Sequence, residues 1–265
     1  MKAETFIAEI PCVIVYKDSC KTSTTKDTVI TEERIALYLN GKKIISTMSI
    51  PIDQDAHAVG FLLSEGVIEK IEDITNIFIS DDGLSVFIDS KINEENISNL
   101  YHEKTLTSGC CVGVTGNFEG KIIEKFISSH MKVSLKRIWK LLEEFDSNNE
   151  LFKLTGCVHQ AILALENNEC VISQDVGRHN AIDKVVGKAK LSGLDTSTAI
   201  LLVSGRLSME MIIKAAMHDI PIIISRAAST QLGIKTAQML GITLIGFARN
   251  DKLNIYTHPA RIALE

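Results

Sequence analysis

From Ser134 onward, short apolar runs alternate with segments whose apolar residues recur at helical spacing. That alternation commits the second half of the chain to a sheet covered by helices. Leu135, Ile138, Trp139, Leu142 and Phe145 form the first helical stripe, with Ser134 placed to cap it. The stripe reads as core packing, and Trp139 needs no functional explanation. Residues 159–165 read as a helix start. Residues 199–203, 221–225 and 242–247 read as buried strands, and 209–218 and 231–240 as helices. Apolar strands separated by amphipathic helices predict a three-layer α/β domain.

The first hundred residues read mainly as strands and turns. Residues 12–16 are β-branched, and 33–39 alternate apolar with polar before Asn40-Gly41, a hairpin signal that leads into 42–48. A helix is predicted over 55–64, with Ala58, Phe61 and Leu62 on one face, Asp53 or Asp55 as cap, and Glu65-Gly66 as its end. Asp81-Asp82-Gly83 joins two strand-like runs, 76–80 and 84–88. The predicted organisation is an N-terminal α+β domain over 1–106, a mobile cysteine loop over 107–125 and an α/β domain over 126–265.

The cysteine loop reads Thr107-Ser108-Gly109-Cys110-Cys111-Val112-Gly113-Val114-Thr115-Gly116. Small residues leave a sulfur exposed and movable, and neighbouring cysteines bridge each other only through a strained ring. Two readings stand: a reactive thiol on a mobile loop, or a glycine turn that contains cysteines. Six cysteines scattered over 265 residues do not form a secreted disulfide framework. No signal peptide is expected near Met1, and no apolar run approaches the roughly 20 residues of a membrane span. A cytoplasmic, reducing setting follows as the expectation. The net charge of −5 argues against a nucleic-acid partner, and no membrane partner is expected.

Polar clusters fall where strands hand over to loops, the usual place for ligand groups in an α/β sheet. They are Thr155 to Gln160, the dense run from Gln174 to Lys184, Ser204-Gly205-Arg206-Leu207-Ser208, Ser225-Arg226-Ala227-Ala228-Ser229-Thr230 and Phe247-Ala248-Arg249-Asn250-Asp251-Lys252. Small residues bring backbone N–H groups close to an anion, and arginine adds a planar fork of donors. One arginine after one strand is ordinarily a solvated surface residue. Arg178, Arg206, Arg226 and Arg249 repeat the placement and predict a phosphorylated ligand held at one sheet edge. His159 and His179 raise a metal site, against helix capping for the first and a structural hydrogen bond for the second. A zinc deaminase needs His-x-Glu and a later Pro-Cys-x-x-Cys. Ala161 stands two beyond His159 and no such cysteine pair follows, so no zinc is expected. Cys12, Cys20, Cys157 and Cys170 read as ordinary buried or surface cysteines.

These residues together resemble the formate dehydrogenase accessory sulfurtransferase family of the FdhD type. The matching stretches are Val59-Gly60-Phe61-Leu62-Leu63-Ser64-Glu65-Gly66, Thr155-Gly156 with His159, Asp175-Val176-Gly177-Arg178-His179-Asn180-Ala181-Ile182-Asp183-Lys184, Val203-Ser204-Gly205-Arg206, and Gly246-Phe247-Ala248-Arg249 with Tyr256-Thr257-His258-Pro259. They run in the family's order from about residue 50 to the end. The resemblance implies a C-terminal domain of cytidine-deaminase-like fold without deaminase zinc chemistry, a small α+β N-terminal domain and a homodimer. It further implies a sulfurtransferase that takes sulfur from a cysteine desulfurase as a cysteine persulfide. The sulfur then passes to the bis-guanine-dinucleotide molybdenum cofactor before that cofactor enters formate dehydrogenase. The family's cofactor-binding stretch falls on Phe247, Ala248, Arg249, Asn250, Asp251 and Lys252. Phosphates of the cofactor's guanine nucleotide moieties would lie on the strand-end groups, among them Arg178, His179, Ser204, Arg206 and Arg226.

One departure matters. The family loop usually reads Ser-x-Cys-Gly-x-Cys-Gly, whereas this chain has Cys110 at the first cysteine, Cys111 where glycine is common and Gly113 at the second cysteine. Cys110 is therefore the candidate sulfur carrier. Cys111 either substitutes for the second thiol or the chain works with one carrier. A thiolate is the nucleophilic form, with a free pKa of about 8.5, so cationic surroundings would help it. His179 is a candidate for proton transfer. The competing class is a non-catalytic chaperone that shelters the molybdenum cofactor, in which the arginines remain and the cysteines are incidental. A nucleotide-metabolising hydrolase lacks a metal set and a clear general base.

Overall fold

The computed structural model describes residues 6–92, 125–249 and 251–264, with the backbone strand pairs Thr105–Leu106 (β7) and Val112–Gly113 (β8). Strands β1 (Ile7–Val15) and β2 (Thr22–Ile30) form an antiparallel ribbon. Strands β3 (Glu33–Leu39) and β4 (Lys42–Ser49) are joined by Asn40 and Gly41, both left-handed, as the Asn-Gly dipeptide predicts. With β5 (Ile74–Ile79) and β6 (Ser85–Ser90) they make a sheet of order β4-β3-β6-β5, with β3 parallel to β6.

Helix α1 (Gln54–Ser64) departs from its expected one-sided form. Every residue but Asp55 is buried, because Val59, Phe61 and Leu62 pack with Ile35, Leu37 and Ile88 of the small sheet while the other face meets a helix of the second half. Neither expected cap closes the helix end. Asp53 adopts a left-handed backbone and its carboxylate pairs with Lys188 at 2.6 Å, and Asp55 accepts only from the Ala56 N–H.

The second half begins with β9 (Val133–Ser134), α2 (Leu135–Ser147) and α3 (Glu150–Thr155); Ser134 Oγ caps α2 by accepting from Arg137 N at 3.2 Å. Then follow β10 (His159–Ala164), β11 (Cys170–Asp175), α4 (Arg178–Leu191), β12 (Ile200–Val203), α5 (Met209–Met217), β13 (Ile222–Ser225), α6 (Gln231–Leu240), β14 (Thr243–Arg249), β15 (Lys252–Ile255) and β16 (Ile262–Ala263). The sheet order is β11-β10-β12-β13-β14-β15, parallel across β12, β13 and β14 and antiparallel outside them.

The expected helix start at 159–165 is strand β10. Ala161 and Leu163 enter one core while Ile162 and Ala164 enter the other, so the run is apolar on both faces, as a central strand requires. Leu201, Val203, Ile223 and Leu244 pack beneath α4, α5 and α6, and Leu202, Ile222, Ile224 and Ile245 pack against Ile138, Leu142 and Phe145 of α2. Helices thus cover both faces of a mixed α/β sheet.

The two sheets are joined through α1 and α4, which cross in backbone contact. A methyl group built on Gly60 would lie 1.9 Å from the Asp183 carbonyl oxygen, and one on Gly187 would lie 1.8 Å from that of Ala56. Two buried ionic clusters flank the crossing. Asp175 accepts from Ser49 Oγ (2.6 Å), Ile50 N (3.1 Å), Gly177 N (2.9 Å), Asn180 Nδ2 (2.9 Å) and Lys184 Nζ (2.6 Å). Burial opposes its charge, but Lys184, His57 and these donors hold the carboxyl below its ordinary range. On the other side Lys214 meets both oxygens of Asp183 at 2.7 and 2.9 Å, and Ser64 Oγ donates to Asp183 at 2.8 Å. No described helix is long and apolar enough to cross a membrane.

His57 lies beside the first cluster, 5% exposed, and burial followed by the Lys184 charge pushes its pKa from 6.5 down to about 4. The unfolded chain therefore takes up this proton below pH 6.5, whereas the folded chain resists until about 4. Stability present above pH 6.5 is lost as pH falls through that window, by about 3 kcal/mol for this group. Urea midpoints measured from pH 7 down to pH 4 are expected to fall, and His57→Gln to flatten the slope. An equal slope in the variant would remove His57 from the account.

Candidate functional site

The carboxyl ends of β12, β13 and β14 open on one edge of the large sheet. The pairing of His159 with Asp175 and of Ala161 with Val203 brings the start of β10 and the end of β11 to the same edge. Helices α4, α5 and α6 all begin there, so their N-terminal N–H groups face it. The loops are tied to one another. Arg226 N donates to Val203 O (3.2 Å), Leu207 N to Ala228 O (3.0 Å), Thr230 N to Leu207 O (2.9 Å) and Phe247 N to Ala227 O (2.9 Å). Ser225 Oγ donates to Gly205 O at 2.7 Å.

At the β10–β12 side, His159 Nδ1 lies 3.0 Å from Ser204 Oγ, which accepts from Gln160 N at 3.1 Å. Burial first, then the Arg178 charge, with His179 and Arg206 adding, lowers the His159 pKa and favours a neutral imidazole. The Arg178 stem lies against Gly205, where a Cβ would be 3.0 Å from its Cβ and Cδ, a tight approach that a larger residue could take only if the arginine stem shifted. His179 Nε2 meets Glu210 Oε2 at 3.1 Å, and that hydrogen bond leads in holding the Glu210 carboxyl below its ordinary value. Buried Arg178 Nε, His179 Nδ1, Ser208 Oγ and Ser229 Oγ have no hydrogen-bond partner among the described residues. Unpaired buried polar atoms of this kind carry a cost that a bound ligand removes.

At the β13–β14 side, Arg226 donates to Ala248 O at 2.9 Å and pairs with Asp146 at 3.1 Å, while Arg249 Nε donates to Arg226 O at 3.1 Å. Phe247 holds a left-handed backbone at an irregularity of the β14–β15 pairing, and its ring lies under the Arg249 guanidinium at 5.7 Å. Strain at a non-glycine residue of this kind persists only where the surroundings over-determine it.

The structure thus brings Arg178, His179, Ser204, Arg206, Arg226, Phe247 and Arg249 to one edge. Arg206, Arg249, Asp251 and Lys252 are exposed there, whereas the Ala248 side chain belongs to the core and offers only its carbonyl. Cys110, Cys111 and Asn250 lie outside the described residues. His159 does not cap a helix; it sits in a strand. The dense run from Gln174 to Lys184 divides in two: Asp175, Asn180, Asp183 and Lys184 are buried in the ionic clusters, leaving Arg178 and His179 to face the edge. Ser208 and Ser229 stand in the strand-end clusters that the sequence marks, without a role of their own there; sequence reasoning missed Glu210, whose signal is its place in the first turn of α5. Among the described residues no group of three His, Cys, Asp or Glu is placed to hold a metal ion. A cavity of about 610 Å³ by His130, Arg137, Glu166 and Asp219 is lined by none of Arg178, Arg206, Arg226 and Arg249, and Asp219 precedes β13 at the opposite end of the strand. Its charge is mixed, and the arginine-lined edge is the stronger candidate.

The structure is that of a mixed α/β protein with arginines at the ends of neighbouring strands and open donors between them, a donor set whose chemistry suits an anion. The chain belongs to the FdhD/NarQ family, whose profile matches residues 30–263. It is 64% identical over 239 residues to the sulfur carrier protein FdhD of Wolinella succinogenes, covering 90% of this chain and 84% of that one. It is 33% identical over 242 residues to the sulfur carrier protein FdhD of Bacillus subtilis, covering 91% and 92%. A solved structure of a candidate formate dehydrogenase accessory protein from Desulfotalea psychrophila superposes with a TM-score of 0.79 at 27% identity, covering 97% of this chain and all of the other.

Proposed function

We propose that this chain is a sulfur carrier for formate dehydrogenase maturation, working in the cytoplasm as a homodimer. It takes sulfur from a cysteine desulfurase and passes it to the bis-guanine-dinucleotide molybdenum cofactor, its acceptor substrate. The observation that carries the reading is the edge itself, where four arginines and unpartnered buried donors suit the phosphates of a dinucleotide. The names of its relatives agree with it. The large domain is taken as cytidine-deaminase-like in layering, with nucleotide recognition kept and zinc chemistry absent.

The Cys110 thiolate attacks the terminal sulfur of the donor's Cys–S–SH. The new bond gives Cys110–S–SH as the donor S–S bond breaks, and the donor cysteine leaves as thiolate. The exchange needs no outside oxidant. Arg178, Arg206, Arg226 and Arg249 hold the acceptor's phosphates, and His179 and neutral His159 are placed to move protons at the edge.

Mass spectrometry after incubation with desulfurase and cysteine tests this directly. The Cys110 peptide is expected to gain the mass of one sulfur, and Cys110→Ala to lose formate dehydrogenase maturation. If Cys110→Ala still supports maturation, the chain is a chaperone that shelters the molybdenum cofactor without carrying sulfur.

A further inference from the structure

Arg226 gathers three parts of the edge around one residue. Its Nη1 donates to Ala248 O at 2.9 Å, its Nη2 pairs with Asp146 Oδ2 at 3.1 Å, and its own carbonyl accepts from Arg249 Nε at 3.1 Å. Asp146 belongs to the last turn of α2, and the end of that helix is tied to the edge a second time. Gln160, near the start of β10, donates from Nε2 to Phe145 O at 2.8 Å. The Asp146 carboxylate is therefore held in place, yet its side chain is 49% exposed and its Oδ1 has no polar partner among the described residues.

A carboxylate is out of place on an edge that suits phosphates. It repels them and offsets part of the Arg226 charge. An exposed ion pair adds little to folding, so stability gives no reason for it. Ionised, a carboxylate only accepts hydrogen bonds. A nucleotide whose phosphates lie on the arginines can engage Asp146 only by bringing donors to it. Guanine brings two side by side, N1–H and N2–H2, spaced for the two oxygens of one carboxylate. Adenine and cytosine each bring one amino group beside a ring-nitrogen acceptor, which a carboxylate repels. Uracil brings one N–H between two carbonyls.

We propose that Asp146 selects guanine, its two oxygens accepting from N1–H and N2–H2 of a nucleotide whose phosphates lie on the arginine-lined edge. The inference rests on the nucleotide reading above and names the residue that reads the base. Oδ2 keeps a lone pair beyond its contact with Arg226, so the two contacts coexist. Arg226, anchored on Ala248 O, orients the carboxylate.

Calorimetric titration of the full chain with GDP, IDP, ADP and XDP tests this. IDP lacks the N2 amine, ADP presents an acceptor at N1, and XDP has a carbonyl where GDP has the amine. The unaltered protein is expected to bind GDP roughly 10- to 100-fold more tightly than the other three, the range for hydrogen bonds to a charged group. Asp146→Asn exchanges one acceptor for a donor and is expected to reverse the order of GDP and XDP. ADP or IDP binding the unaltered protein as tightly as GDP overturns the inference, whether or not the variant folds. An Asp146→Asn protein that still prefers GDP, or whose four affinities shift together, makes Asp146 structural and overturns it as well. These results leave the phosphate-holding edge standing. Binding of none of the four nucleotides by the unaltered protein overturns the nucleotide reading too.

Discussion

Gly187→Ala is expected to lower folding stability by roughly 3 kcal/mol, the upper range for forcing extra atoms into a packed interior. The sign is informative, because alanine in a helix normally gains about 1 kcal/mol over glycine. Here the new methyl would meet the Ala56 carbonyl oxygen at 1.8 Å and its carbon at 2.6 Å. Both obstacles are backbone, so no rotamer change relieves them, and α1 and α4 must separate. Separation also disturbs Lys184 and Asp183, which stand on α4 beside the contact. In thermal unfolding the loss corresponds to roughly 6–12 °C. Gly60→Ala, against the Asp183 carbonyl at 1.9 Å, is expected to behave alike. A melting temperature equal to or above that of the unaltered protein would show that the helices are not in contact.

Lys184→Met is expected to cost about 3–5 kcal/mol, the range for removing one partner of a buried pair. Both Lys184 and Asp175 are fully buried, and the substitution leaves the carboxylate with dipolar partners alone. Ile50 O also loses one of its donors, Lys184 Nζ at 2.9 Å, while Ile52 N at 2.7 Å remains. Adding Asp175→Asn should recover part of the loss, because the stranded charge disappears with it. Urea unfolding of both variants checks this. A double variant less stable than Lys184→Met would mean that the hydrogen bonds to Asp175 outweigh its charge.

Elements with one-sided or punctuated patterns were legible in the sequence. Ser134 and the stripe through Phe145 marked α2, and Asn40-Gly41 marked the β3–β4 turn. Elements buried on both sides were harder. The apolar residues of β10 serve two cores, so its period is hidden, and α1 shows an apolar face only if one ignores that its polar face is buried too. The first turns of α4 looked like ligand chemistry because Asn180, Asp183 and Lys184 are polar. Their partners Met48, Ser64 and Ile50 lie 132, 119 and 134 residues away, beyond any local pattern. The arginines were legible because each falls at a strand's end or within three residues after it, and strand ends are where an α/β sheet places ligands. Which polar atoms would be left without partners depends on tertiary packing, and no spacing encodes it.

The division of labour along the start of α4 constrains anyone who wishes to retune what this protein holds. Arg178 and His179 sit one or two residues from side chains that clamp the two sheets together, so mutational libraries aimed at them will recover mostly unstable clones. Arg206, in an exposed loop, and Arg249, exposed at the end of β14 with one carbonyl hydrogen bond and the Phe247 ring beside it, are the positions where substitution costs folding least.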